Sequence, residues 1–465
     1  MLPFYLFAAS TFVANRKLMN ATTYIIKLSL FLLMGTNGLL SVAFAQENTR
    51  NISLTEAIST ALLNNKDIHL ALLDERIAAS DYKQTQAIFL PQVDVSYTAM
   101  STNNPLNAFG FKLQQRTITQ GDFNPATLNH PSATPDYMAK LELQQPLLNM
   151  DMLYQRRGAE KKTEVYQYKT QRTREYLTFE VQKAYLQLQL TYTAVKVLEE
   201  ALQTTNDVYT YTKNHFDQGL IQKSDVLNAQ VQVATITSNL TKANSNIRNA
   251  SDHLSLLMGE KTGTIYKITD GITTAPQMPD AVRDVTFSRA DFMAMQKAVE
   301  ASDLVIRSTQ MKYLPRLNAF GNFQYNDNSM VGFGANAYLV GVQLSWNIFN
   351  GNRTKNTITT QKLERDKLVT QLEDKKNQSQ LELDKAYRDL ADARSETGRG
   401  EVSVEQAAEA LRIIQNRYEQ GLVNTTDVLL AQMQLSQQKL LLAQAQFSAN
   451  VTLAYLQFLT TSTNK

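Results

Sequence analysis

The stretch HFDQGLIQKSDVL, His215 to Leu227, returns 202 residues later as RYEQGLVNTTDVL, Arg417 to Leu429. Both copies carry Gln-Gly-Leu followed by Asp-Val-Leu. A Gly of this kind ends a helix, and an acidic residue shortly after it suits the N-terminal turn of the next, where the helix dipole favours negative charge. Each copy therefore reads as the turn of a helical hairpin. Other marks recur upstream in the same order. Phe89-Leu90-Pro91 matches Tyr313-Leu314-Pro315, and Leu147-Leu148-Asn149 matches Ile348-Phe349-Asn350. The chain is two copies of one unit.

The first unit, 46–259, opens with a helix for which Ser53 and Glu56 have the spacing of a capping box. That helix is predicted to end before Leu90-Pro91, because a residue preceding Pro is pushed out of helical geometry. Strands follow at about 92–101 and 137–146, then a long helical hairpin at about 152–259. The second unit, 288–465, repeats the plan, with strands at about 316–325 and 337–346 and a hairpin at about 352–460. A linker, 260–287, lies between them. No Pro occurs between Pro146 and Pro276 or after Pro315. A helix of about 65 residues would span roughly 100 Å, which implies a coiled-coil-like assembly. Ala229, Val233, Ile236, Leu240, Ala243, Ile247, Ala250, Leu254 and Leu257 step alternately by four and three, which is a heptad seam. Leu435, Leu442, Ala445, Ala449, Leu456 and Leu459 take matching places in the second unit. Gly398 and Gly400 fall inside its long helix, where a bend is the simplest expectation.

Each strand alternates. Val93, Val95, Tyr97 and Ala99 interleave with Asp94, Ser96 and Thr98; Tyr338, Val340, Val342 and Leu344 alternate with mostly small or polar neighbours. About ten residues with one apolar face fit a membrane strand, and aromatic residues near the strand ends fit its interfaces. A soluble antiparallel sheet packed on a core shows the same alternation. In lipid, however, unpaired backbone edges cost several kcal/mol per group, so four strands could not stand open there. The membrane reading therefore requires several chains to share one barrel. The loop 103–136, rich in Pro and Gly, suits an external loop, and 327–335 is a short second one.

Residues 1–45 read as an export signal: Lys27, an apolar run from Leu28 to Leu40, and a small-x-small site at Ala43-Phe44-Ala45. A short transmembrane anchor is the alternative, and translation could start at Met1 or Met19. No later segment has 18 consecutive apolar residues. The chain has no Cys, which excludes disulfides, thiolate chemistry and lipid attachment at a signal-cleavage Cys. Removing Arg16, Lys17 and Lys27 with the signal leaves 46 − 3 = 43 basic residues against 43 acidic ones, which gives no nucleic-acid footprint. His69, His130, His215 and His253 lack metal-ligand spacing, and no hydrolase, P-loop or zincin motif occurs. No enzyme, cofactor or metal site is expected.

The signal, the duplication, Leu-Pro before each strand pair, and the Gly-Leu and Asp-Val-Leu tips together resemble the TolC-like outer-membrane efflux proteins. The resemblance covers about residues 46–465 and lies in the order of the motifs rather than in any one of them. It implies a mostly α chain with a membrane β-barrel. As a homotrimer, it would close twelve strands over a periplasmic α-helical barrel, with 260–287 and the termini in an equatorial belt. It also implies a passive exit duct in the outer-membrane lipid, fed through a periplasmic adaptor by an inner-membrane pump of RND, ABC or MFS type. In such proteins the Gly-containing turns meet the adaptor, which here points to Gly219, Leu220, Gly421 and Leu422. The family's entrance network maps onto Ser224, Asp225, Tyr418 and Asp427, and a Tyr418–Asp225 hydrogen bond is the expected latch. Val423 replaces the family's Arg, and Leu430 replaces a second Asp. Two readings of another class remain: a periplasmic coiled-coil scaffold without transport, and a pump adaptor. The adaptor would lack the duplicated strand pairs.

Overall fold

The computed structural model describes residues 48–269 and 284–462. The expected signal, 1–45, and residues 270–283 of the expected linker lie outside the described residues. The chain divides between Asn48 and Thr49, and the architecture below belongs to the unit from Thr49 onward.

Ser53 caps the first helix, α1 (Leu54–Asn64), by accepting the Glu56 N–H. The expected capping box is only half made, because the Glu56 carboxylate takes the Arg50 guanidinium at 2.6 Å. The single helix expected up to Leu90 is two. Asn65 ends α1 with its N–H on Ala61 O, and its side chain caps α2 (Lys66–Gln84) through the Asp67 N–H. The Asn65 amide also donates to Leu257 O at 2.8 Å, so a tertiary bond fixes the break. A short 3₁₀ turn, Thr85–Phe89, then leads to Pro91.

The long helices appear as the Pro-free spans predict. α5 (Met150–Asp217) and α6 (Lys223–Leu257) form the first hairpin; the second, α8 (Arg353–Glu419) and α9 (Thr425–Thr460), follows α7 (Ala290–Met311). At 68 and 67 residues, α5 and α8 each run roughly 100 Å. The heptad seam of α6 faces inward: Ala229, Ile236, Ala243, Ile247 and Leu254 are buried. Three clusters hold the helices. One joins α1 to α5 and α6 around Tyr185 and Leu188, a second joins α7, α8 and α9 around Leu383 and Leu456, and a third lies near the hairpin turns. The helix runs unbroken through Gly398 and Gly400. A Cβ on Gly400 would sit 3.2 Å from the Leu442 Cδ1, so this Gly lets α8 lie close against α9.

Beside the first cluster, β1 (Asn48–Ile52) pairs with β4 (Thr264–Ile268). Tyr266 is fully buried there, donating to Glu260 at 2.7 Å; burial and that carboxylate push its phenol up to about 12. On the second-unit side, Arg289 is 1% exposed and grips Asp291 at 2.6 Å, while Arg172 lies 3.6 Å from the Phe458 ring centre and bonds Phe458 O. Burial pushes the Asp291 carboxyl up, but Arg289 and Arg172 outweigh it and hold it below its ordinary value. These arginines clamp the last turn of α9.

The main sheet has four antiparallel strands in the order β2 (Gln92–Thr102), β3 (Thr134–Leu148), β5 (Arg316–Asp327), β6 (Ala335–Ser345). β3 runs past the expected 137–146 in both directions and includes Pro146. That residue lies beyond the pairing with β2, at a register shift against β5, where a missing N–H is tolerated. Trp346 falls just outside β6 and donates its indole N–H to Tyr313 O at 2.9 Å. The long loop expected at 103–136 carries short elements of its own. It contains α3 (Pro105–Gln114), a 3₁₀ turn at Gln120–Phe123 and α4 (Pro125–Asn129). Asp122, held by Lys112 and the Thr119 N–H and hydroxyl, is lowered to about 2.

Candidate functional site

Two places are candidates for function: the sheet's two faces and the tips of the hairpins. Register decides the faces. Val95 stands opposite Leu141, Leu141 opposite Phe323, and Phe323 opposite Tyr338, so all four share one face. Their neighbours, Asp94, Glu142, Asn322 and Leu339, form a matching row on the other face. The first face is apolar and open: Val95 is 79% exposed, Val340 70% and Leu344 66%. The second is polar except for a few residues such as Phe320, whose ring covers Gly341 on the neighbouring strand. Among the described residues β2 and β6 each pair with one strand only, which leaves two backbone edges open. An apolar outer face, a polar inner face and two unpaired edges are what one share of a larger membrane barrel requires.

The tips repeat one geometry. Gly219 has φ +78 and Gly421 φ +70, a left-handed conformation that residues with a Cβ rarely adopt. Leu220 N–H donates to His215 O and Gly219 N–H to Phe216 O; Leu422 and Gly421 do the same to Arg417 O and Tyr418 O, all at 2.8–2.9 Å. Both are Schellman caps. Such caps usually tuck the following apolar residue against the helix they end, yet Leu220 is 65% and Leu422 62% exposed.

The candidate gate residues separate into engaged and free. Tyr418 does not meet Asp225 within the chain. Its hydroxyl shares hydrogen bonds with Thr212 at 2.8 Å and Thr425 at 2.9 Å, tying α5 of the first hairpin to the start of α9. The Tyr211 ring lies 4.9 Å from Tyr418 and stacks on His215. Asp427 is consumed in a capping box with Asn424. Asp225 is its counterpart, but Gln222 stands where Asn424 would, and Gln222 makes no cap bond. Among the described residues nothing takes the Asp225 carboxylate. Ser224 donates to Gln222 at 3.3 Å. Val423 and Leu430, the two departures from the resembled family, line one groove between α8 and α9 with Arg417 and Asp427. Thr212 and Thr425 were not foreseen. Thr425 stands where the first repeat has Lys223, and Tyr418 where it has Phe216. Those two differences between the repeats point at the start of α9 and at Tyr418, but neither marks Thr212.

Comparison with known proteins agrees with this architecture. The family model described as outer membrane efflux protein matches residues 57–260 and 282–461. The cation efflux system protein CusC of Escherichia coli (strain K12) is 21% identical over 349 residues, 72% of this chain and 69% of that protein. A solved CusC structure superposes with a TM-score of 0.76 at 16% identity, covering 91% of this chain and 96% of that one. The CmeC outer membrane channel of Campylobacter jejuni gives 0.75 at 16% identity, covering 90% of each chain. Members of the matched family are homotrimeric outer-membrane channels of tripartite pumps, a class of ducts rather than of enzymes. The chain belongs to the outer membrane efflux protein family and is an outer-membrane efflux channel.

Proposed function

We propose that three copies of this chain close one twelve-stranded barrel above a helical duct, and that the two Gly-Leu tips dock a periplasmic adaptor. The open edges of β2 and β6 support the trimer, since four strands with unpaired edges have no stable place in lipid. An equatorial belt would include the β1–β4 pair and the described linker residues 284–287. An inner-membrane pump of RND, ABC or MFS type supplies the energy and chooses the cargo, whether drugs, other small molecules or proteins. The duct, lined by short polar side chains, sorts by size and charge. The relative named a cation efflux protein makes metal cations one candidate cargo among these.

The observation that carries the docking is the pair of identical caps that leave Leu220 and Leu422 in water. Two small apolar knobs per chain make six around a trimer, a repeating pattern that a ring of adaptor hairpins can engage. At the same end, Asp225, Ser224, Tyr418 and Asp427 form the entrance gate. Tyr418 ties the two hairpins of one chain, while Asp225 is free to meet a neighbouring copy.

The test replaces both knobs by Leu220→Asp and Leu422→Asp. The double variant should reach the outer membrane as a trimer and conduct ions in planar bilayers as the wild type does. Ethidium efflux from cells expressing the native pump and adaptor should fall to that of a channel-deleted strain. Wild-type efflux by the double variant would sink the docking assignment.

A further inference from the structure

The short loop between β5 and β6, residues 328–334, does not stand up from the barrel rim. It folds over the apolar outer face. Four observations fix it there. The Phe333 ring packs edge-on against Tyr325, with centroids 5.7 Å apart. The Tyr97 hydroxyl, two strands away on β2, donates to Met330 O. Tyr97, Ala139 and Tyr325 stand in one row on the apolar face, so the loop crosses above Ala139, where a small side chain leaves room. The third observation is Asp327, which shares this face with Tyr137; its carboxylate takes the Ser329 N–H at 2.9 Å, the Ser329 hydroxyl at 2.8 Å and the Gly334 N–H at 2.8 Å. The fourth is steric. A Cβ on Gly332 would fall 2.1 Å from that carboxyl group and one on Gly334 2.8 Å from it, so two glycines let the backbone wrap the acid closely.

This fold-over satisfies the polar groups of the loop inward and turns its apolar side chains out. Met330 is 66% exposed, Val331 81% and Phe333 55%. The longer loop also exposes apolar side chains, Leu106 and Phe123 among them, but it leans the other way: Phe109 packs edge-on against Phe123, and the Gln115 amide reaches Asp136 on the polar face of the sheet. One loop therefore closes toward the duct, and the other lies on the opposite side. The exposed apolar patch of 328–334 is continuous with the lipid-facing surface through Tyr325 and Tyr97.

We propose that residues 328–334 form a lipid-seated foot, with Met330, Val331 and Phe333 placed in the interfacial zone of the outer leaflet among the first methylenes of its acyl chains. The foot rests on the reading of the sheet as lipid-facing, and extends it beyond the strands. Aromatic and apolar side chains at this level are the usual anchors of a membrane barrel.

The test uses the single Trp of the chain, Trp346, replaced as Trp346→Phe to give a dark background. Into it go Val331→Trp, Val340→Trp in β6, or Ala126→Trp in the other external loop. Each variant is reconstituted in phosphatidylcholine vesicles with and without bromine on the upper acyl carbons. Val331→Trp should be quenched to within about twofold of Val340→Trp, and at least about fivefold more than Ala126→Trp. A water-like, unquenched Val331→Trp beside a quenched Val340→Trp would overturn the foot and leave the barrel standing. A blue-shifted but unquenched Val331→Trp would also overturn it, because the loop would then be covered by protein. If Val340→Trp were unquenched as well, the lipid-facing sheet itself would fall, and the foot with it.

Discussion

Tyr418 and Phe216 hold the same place in the two repeats, and one oxygen atom separates them. That oxygen reaches Thr212 and Thr425, so the second hairpin is tied to the first where the first has no equivalent tie. A similarly small difference divides the two acids. Asn424 folds back to form a capping box with Asp427, while Gln222, one methylene longer, makes no cap bond and leaves Asp225 uncommitted. Tyr418→Phe should therefore loosen the tip without unfolding it. Thr212 keeps its bond to Val208 O at 2.7 Å, and Thr425 stays within 3.4 Å of Thr212. Hydrogen bonds of this kind contribute about 1 kcal/mol each, which shifts a closed-to-open ratio roughly fivefold or more per chain. Single-channel conductance in planar bilayers should rise. If it did not, the Tyr418 tie would have no part in the gate. The identity of Tyr418 as a candidate was legible in the sequence, but its partners were not. Thr212 comes from a helix 206 residues away, and its repeat counterpart is Ile414, so neither local pattern nor the duplication marks it.

At the scale of elements, the long helices were legible because nothing in them stops a helix and their apolar positions keep a heptad step. The hairpin turns were legible because Gly takes the left-handed conformation of each cap at the least cost. The break at Asn65 was not, since Asn suits an N-cap but does not by itself end a helix, and what fixes the break is its amide on Leu257 O, at the last residue of α6. Gly398 and Gly400 show the same limit: the sequence sets them two residues apart and the packing separates them. Gly400 lies against Leu442, whereas a Cβ on Gly398 would meet nothing within 4 Å. Gly398→Ala should thus stabilise by about 1 kcal/mol, through helix propensity and a less flexible unfolded chain. Gly400→Val should destabilise by roughly 1–3 kcal/mol by overpacking the α8–α9 seam. Thermal unfolding midpoints of the two variants should move in opposite directions. A loss of stability on Gly398→Ala would mean that another copy packs against that position in the assembly.

At the scale of the whole molecule, the sequence carried the alternation of the strands but left open whether their apolar face meets lipid or a protein core. Among the described residues no core lies against that face, and the family comparison places the protein in the outer membrane. Tyr338 and Trp346 are eight residues apart, about 26 Å along a strand, close to the apolar band of an outer-membrane barrel. Leu339 and Val340 turn this geometry into a sharp contrast. They are adjacent and similarly exposed in one chain, at 55% and 70%, yet register puts Leu339 with Asn322 on the polar face and Val340 with Gly321 on the apolar one. In a sheet bathed by water on both sides, Lys would be tolerated equally at either position. In a barrel whose apolar face meets lipid, Val340→Lys should cost roughly 2–4 kcal/mol near the bilayer midplane, whereas Leu339→Lys, turned to the wet duct, should cost little. Denaturant unfolding of both variants from vesicles measures the difference, and the fraction assembled in the outer membrane should follow it. Equal tolerance would mean that this face does not meet lipid, and the open edges of β2 and β6 would then need a partner other than two more copies of the chain.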